Sequence, residues 1–326
     1  MLARCSEYGY FLDESVDLAG IDTSFTGMSR AELELLDPQQ RLLLEVTREA
    51  LHDAGATGWA GSNMGVYIGS FGEDWHDLLR REEQLSNLYA IGGSQDYMVS
   101  ARVSHELDLR GPNMTIRTAC SSSMIALNEA CAAIAKGDCE DALVGGSNLI
   151  LAPNLFVSLS GQGVLSADGS SRSLSAEANG YARGEGVVAV YVKALHAALR
   201  DGNPIRSVVA GCAANSDGKT QPFSMPSAAA QAALIRRTYA LAGVDDVSKT
   251  ALFECHATGT ATGDPIECAA VADIFGGAGV YVGTVKPNMG HSESASGLTA
   301  VLKATLALEH RVGARAITLT HDDQMN

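Results

Sequence analysis

Residues Met114 to Ser123 read MTIRTACSSS. A short β-like approach runs into Cys120, and the serines open a nearly all-apolar stretch, Ser121 to Lys136, that stops at Gly137. Apolar residues continuing around every side of a helix mark one that is buried. A thiol at such a strand-to-helix junction sits beside the positive end of the helix dipole and its free N–H groups. That setting favours the thiolate, and the same N–H groups can stabilise an oxyanion. Taken alone, the stretch reads more readily as serines capping a buried helix with Cys120 as a small packing residue. Partner residues elsewhere have to decide.

Working outward, strand and helix patterns alternate along the whole chain. Asp37-Pro38 is a helix start, a capping residue followed by proline, and the helix it opens runs to about Ala54 before Gly55. Met64 to Gly69 and Ala142 to Val144 read as strands. The β-branched run Val187 to Val192 predicts a strand buried on both faces, and Ser207 to Val209 begins another. Helices are expected over Ser227 to Leu241, over Pro265 to Ile274 with Asp264 as cap, and over Ser296 to Leu308. Strands are expected at Ala251 to Glu254 and Val280 to Thr284. The last helix is so rich in small residues that it must pack closely on a neighbour. This alternation predicts a layered α/β architecture.

The chain has 326 residues, 46% of them hydrophobic, with 23 Lys+Arg against 38 Asp+Glu and a net charge of −15. That length buries a substantial core and the apolar fraction excludes a disordered polymer. The acidic balance argues against nucleic acid or an anionic membrane as the main partner. No apolar run approaches the ~18 residues that span a bilayer, and Met1 to Phe11 lacks the apolar core of a signal peptide. The seven cysteines include no C-x-x-C pair, which points away from a disulfide framework or a zinc site and towards a reducing, cytoplasmic setting.

Two further segments carry chemistry-bearing residues. Glu254 to Glu267 reads ECHATGTATGDPIE, with His256 just past a strand in a glycine-rich loop that also holds Thr258 and Thr260. Gly283 to Glu293 reads GTVKPNMGHSE and places Lys286 and His291 in another strand-to-helix connection. Loops at the C-terminal ends of strands are where α/β folds build their sites. The other six histidines read as ordinary surface or core residues, and no H-x-x-x-H spacing suggests a metal.

TACSSS around Cys120, HATGTATGDPIE around His256 and VKPNMGH around His291 resemble the three catalytic motifs of β-ketoacyl synthases, within the thiolase-like superfamily. The resemblance is nearest to polyketide-synthase ketosynthases of the fungal iterative reducing kind. It extends through DPQQRLLLEVTREALHDAG from Asp37, SARVSHELDLRGP from Ser100, LSADGSSRS from Leu165, ANGYARGEG from Ala178, NSDGKT from Asn215 and PSAAAQAALIRRTYALAG from Pro226. The resemblance implies a thiolase-like α/β/α/β/α fold in one ketosynthase region. Residues 1–195 would carry the nucleophile and residues 196–326 both histidines.

The roles implied are as follows. Cys120 takes the growing acyl chain as a thioester, and His256 and His291 donate N–H groups to the enolate formed when malonyl loses carbon dioxide. Lys286 tunes the field around His291, Glu293 supports the site from behind, and Thr258 and Thr260 bond the phosphopantetheine amides. No bound cofactor or metal is implied, because phosphopantetheine arrives on an acyl carrier protein domain. The partners implied are that carrier, acyl and malonyl thioesters, neighbouring polyketide synthase domains and a second copy in a homodimer.

The sequence departs from the family pattern in places. Arg117 stands where an acidic residue is usual, Ala257 where glycine is usual, and Leu174-Ser175 where Phe-Asp is usual. The resemblance also implies an opening strand before residue 1 and a glycine-rich closing loop after residue 326, so the fold is expected to be truncated at both ends, and residues 1–326 alone to fold poorly or self-associate and turn over negligibly. Two rivals follow: a non-elongating ketosynthase-like fragment that only binds acyl carrier, and a cysteine thioester hydrolase.

Overall fold

A computed structural model describes residues 8–81 and 88–312. Its main sheet has the order β2-β1-β3-β4, where β1 is Gly65–Ser70, β2 Asn113–Ile116, β3 Asp141–Asn148 and β4 Gly186–Lys193. β1 runs parallel to both neighbours, pairing Gly69 with Ile116 and Ser70 with Ser147, while β4 closes antiparallel on β3. A second, parallel sheet joins β5, Leu252–Glu254, to β6, Tyr281–Gly283.

Helices sandwich these sheets. Pro38–Asp53 and Met98–Glu106 cover one face of the main sheet, where Leu43, Leu44 and Leu51 meet Val66, Ile68 and Leu143. The other face receives Ser122–Lys136 and Ser296–His310, through Ala126, Leu127, Ala130 and Leu298 against Tyr67 and Val144. The helix Ser296–His310 reaches the second sheet as well, where Lys303 Nζ lies 2.7 Å from Glu254 Oε2. Ala228–Leu241 and Gly263–Phe275 close the far side over Phe253 and Val282. The layers are therefore helix, sheet, helix, sheet, helix, as the resemblance implied.

Local chemistry explains most boundaries. Asp37 caps its helix by accepting from the Gln39 N–H at 2.8 Å, with Pro38 in the first turn. Ser227 caps Ala228–Leu241 through the Ala230 N–H. Gly137 ends Ser122–Lys136 at φ +80°, a left-handed conformation that glycine adopts without strain.

Three expectations fail. Asp264 is not a helix cap: the helix begins at Gly263, and the Asp264 carboxylate turns back to accept from the Gly259, Thr260 and Leu174 N–H groups. The Val187–Val192 strand is half-buried, because β4 is an edge strand paired only with β3. A β-branched run fits an edge as readily as a centre, so composition could not separate the two. Ser207–Val209 is exposed and forms no strand, since none among the described residues pairs with its backbone.

The expected close packing of the last helix is present. A Cβ on Gly297 would fall 2.3 Å from Met124 Cγ. Small residues elsewhere let both helices of the middle layer approach the strand ends. A Cβ on Gly69 would fall 2.5 Å from the Ser123 nitrogen, and one on Gly146 2.9 Å from the Ser294 oxygen. The C-terminal ends of β1 and β3 thus lie against the segments that follow Cys120 and Glu293.

Candidate active site

Cys120 sits in the tight turn Ala119–Ser121, between β2 and the helix Ser122–Lys136. Ala119 holds φ +54°, a left-handed conformation rare for a residue with a Cβ, and so aims the next residue sharply. The buried Ser122 hydroxyl fixes the turn, accepting from the Thr118 N–H at 2.9 Å and donating to the Ala119 oxygen at 2.7 Å. Ser123 Oγ accepts from the Leu298 N–H at 3.2 Å, tying this helix to its neighbour in the middle layer. The serines therefore fix the turn and the helix pair.

The two histidine loops converge on this turn from the other half of the chain. One sulfur and one nitrogen of each ring, from Cys120, His256 and His291, all lie within 4.8 Å of one another. The imidazoles meet edge to face, with centroids 5.2 Å apart and planes at 85°.

His291 is fully buried, and its tautomer is set by the backbone. The Glu293 N–H donates to Nδ1 at 3.0 Å, so the hydrogen resides on Nε2, and Nε2 has no partner. Burial, with the Lys286, His256 and Arg183 charges nearby, holds its pKa well below the usual histidine range. His256 stands at the mouth of the site with part of its surface exposed. Packing around the ring and the Lys286 ammonium push its pKa down too. Glu267 positions it, accepting from the His256 and Ala257 N–H groups at 2.7 Å each. Both rings are neutral N–H donors at neutral pH.

Lys286 is almost fully buried at the start of the helix Lys286–Met289. Burial lowers its pKa against the pull of Glu267, Cys120, Glu254 and Asp264. Thr258 and Thr260 are half-buried, their hydroxyls 3.3 Å apart, and Thr260 Oγ1 also accepts from the Gly263 N–H at 3.1 Å. Glu293 approaches much nearer than a support from behind: its Oε2 accepts from the Cys120 thiol at 3.6 Å.

That carboxylate overturns one expectation. Burial and the Glu293 charge push the Cys120 thiol up to about 12, outweighing Lys286 and the cysteine's own backbone N–H. At neutral pH Cys120 rests as a thiol.

The departures also find physical places. Arg117 is half-exposed and pairs with Glu73 at 2.8 Å and Asp96 at 2.7 Å, which turns it away from Cys120. Ala257 and Leu174 both hold positive φ, +26° and +59°; the first lies where the family favours glycine. Glu267 and Asp264 organise the His256 loop, and Tyr181 and Arg183 adjoin Glu293, roles beyond the capping expected of Asp264 and unassigned for the other three. All four lie inside quoted motifs, and that was the available signal. A cavity of about 600 Å³ runs instead along the open edge of β4, lined by Cys131, Tyr191, Val208 and Val301, away from these groups.

The layered five-tier fold thus joins a helix-start cysteine to two neutral histidines from the opposite half of the chain, an arrangement of one thiol with two N–H donors. Residues 3–198 match the family Beta-ketoacyl synthase, N-terminal domain, and residues 206–320 match Beta-ketoacyl synthase, C-terminal domain. The chain belongs to the β-ketoacyl synthase family. It is 61% identical over 307 residues to the highly reducing polyketide synthase sphB of Aspergillus fumigatus and 56% identical over 306 residues to VdtX of Byssochlamys spectabilis. Those matches cover 94% of this chain but only 12% and 14% of those relatives. Among solved structures it resembles the ketosynthase from module 6 of the Bacillus subtilis bacillaene synthase, with TM-score 0.86, 31% identity and coverage of 95% of this chain and 54% of that one. The Streptomyces albus oxazolomycin ketosynthase domain gives TM-score 0.83 at 34% identity over 94% of this chain and 54% of that one.

Proposed function

We propose that this chain carries out the decarboxylative Claisen condensation of polyketide elongation. The acyl chain is loaded on Cys120, and a malonyl thioester loses carbon dioxide beside the two histidines. Charge then builds on the malonyl thioester oxygen, and a nearby N–H donor lowers that barrier most when it is already in place and unsatisfied. The unpartnered Nε2–H of buried, neutral His291 is that donor, and this observation carries the reading. The carbanion, held next to Cys120, attacks the acyl thioester. Carbon–carbon bond formation releases the Sγ.

His256 supplies the second N–H from the mouth, and Lys286 keeps both rings neutral. Thr258 and Thr260 offer hydroxyls to an incoming phosphopantetheine arm, whose carrier protein brings both thioesters. The chain works beside the neighbouring domains of a multidomain synthase and pairs with a second copy. The exposed edge strand β2, with Met114 uncovered, is a surface suited to that pairing. No described helix is long and apolar enough to cross a membrane.

A cysteine hydrolase would couple its thiol to an imidazole base. Here the thiol donates to Glu293 instead. The deciding experiment supplies the native polypeptide carrying this chain with an acyl thioester and a malonyl thioester. A 3-oxoacyl product with release of carbon dioxide is expected. Free acid without chain growth would support the hydrolase, and carrier binding without either product would support a non-elongating protein.

The pH profile of malonyl decarboxylation follows from the same geometry. The working state is the neutral ring, because protonating Nδ1 would break its bond from the Glu293 N–H. Both histidine pKa values lie below the usual range. The rate is therefore expected to stay flat as pH falls through about 6.5, and to drop only well below it. An inflection near the ordinary histidine value would show that one ring titrates freely.

A further inference from the structure

Glu293 has more invested in it than a support would need. Its side chain is buried, one carboxylate oxygen faces the Cys120 sulfur, and the other faces two groups from the segment just before β4. Tyr181 donates its hydroxyl to Oε1 at 3.3 Å, and Arg183 Nε lies 3.5 Å from the same oxygen. The Arg183 guanidinium is wholly buried, none of its three nitrogens makes a hydrogen bond, and it stacks 5.5 Å above the Phe156 ring. A buried cation with no hydrogen bonds is costly to keep unless its charge is used, and among the described residues its ion-pair partner is Glu293. Its backbone is clamped as well. The Arg183 oxygen accepts from the Tyr10 N–H at 2.9 Å, and the residues flanking Arg183 bond the His291 N–H and oxygen at 2.8 Å each.

We propose that Glu293 is the base that takes the Cys120 thiol proton during acyl loading, and that Arg183 and Tyr181 are positioning residues that keep its carboxylate ionised and aimed at the sulfur. This rests on the reading above only in that the acyl group arrives as a thioester. Sγ bonds to the thioester carbonyl carbon as the S–H proton passes to Glu293 Oε2. The tetrahedral centre collapses by breaking the bond from carbon to the departing sulfur. That sulfur takes the proton from Glu293 and leaves as a thiol, so the carboxylate is restored and no oxidant or reductant is consumed.

A thiol held up to about 12 needs such a base, since the free thiolate population at neutral pH is minute. Burial raises the Glu293 carboxyl, while Arg183 and the hydrogen bonds from Cys120 and Tyr181 pull it back. The charged and titratable groups facing it are Arg183 and Tyr181 on one side, Cys120 on another and His291 within its own loop, with Lys286 acting through Cys120. Loading should then rise with pH as Glu293 ionises, and removing Arg183 should move that rise upward.

Single-turnover acylation of Cys120 by a small acyl thioester, read by intact-protein mass from about pH 5 to about pH 9, tests this in the native polypeptide. Glu293→Gln is expected to slow loading about 100-fold or more. Arg183→Met should shift the half-maximal pH upward by about one unit or more, Arg183→Lys should bring it most of the way back, and Tyr181→Phe should move it less in the same direction. Should Arg183→Met fail to fold, Tyr181→Phe carries the test, since it removes only one hydroxyl. Loading by Glu293→Gln at or above the wild-type rate would overturn the proposal, because the carboxylate would then merely oppose the thiolate. An unmoved half-maximal pH in the foldable positioning variants would overturn it too. Carbon dioxide release from a malonyl thioester by the wild type is read separately, and its absence would sink the condensation reading while leaving the loading result to stand on its own.

Discussion

His291→Ala is expected to lower malonyl decarboxylation by roughly 100- to 1000-fold while acylation of Cys120 from an activated thioester stays within a few-fold of the wild type. The asymmetry follows from what the ring touches. Its Nδ1 is occupied by the Glu293 N–H and its Nε2–H is aimed with nothing to bond, so the group waits for an acceptor that the resting enzyme lacks. An enolate oxygen is that acceptor. Loading uses a different proton, the one Cys120 presents to Glu293. Carbon dioxide release and acyl-enzyme mass, measured on the same preparation, separate the two half-reactions. Equal loss in both would mean that His291 serves the thiol, or only holds the Glu293 turn in shape.

Gly69→Ala is expected to damage stability and loading together. The added methyl would fall 2.5 Å from the Ser123 nitrogen and 2.7 Å from the Ser122 carbonyl carbon, both backbone atoms of the helix that starts just after Cys120. Strand β1 is buried along its whole length, so it cannot back away, and the helix start must move instead. Overpacking of this kind costs about 1–3 kcal/mol. The displaced turn would also misplace Sγ, and a shift of about 1 Å in a reacting group can cost on the order of 100-fold in rate. A thermal melt and the single-turnover loading assay check the pair. Native melting with native loading would show that the helix slides freely along the strand.

Much of this was legible in the residues. The three motifs predicted the gathering of Cys120, His256 and His291, and Asp37-Pro38 and Gly137 fixed helix ends by chemistry that acts within a few residues. What escaped depends on distant surroundings. The helix start argued for a thiolate at Cys120, but the opposing charge comes from Glu293, 173 positions away, and from burial that no local pattern records. Val187–Val192 reads as a strand wherever it lies, and only the strand order reveals that β4 is an edge. Asp264 carries the signature of a cap, yet the loop preceding it folds back close enough to capture the carboxylate first. Arg183 and Tyr181 lay in a quoted motif, but nothing in ANGYARGEG says what they face.

The seam around Arg183 has a consequence for timing. Tyr10, Arg183 and His291 belong to three stretches of chain remote in sequence, and their backbones are laced side by side by hydrogen bonds. A ring anchored in such a weave cannot swing away by loosening its own loop, because two other segments would have to let go with it. The donor that meets the enolate is thus in register before any substrate enters, with little left to rearrange at the moment of reaction. In the proposed condensation it is the arriving thioester that must be brought into line, with His291 as the fixed mark.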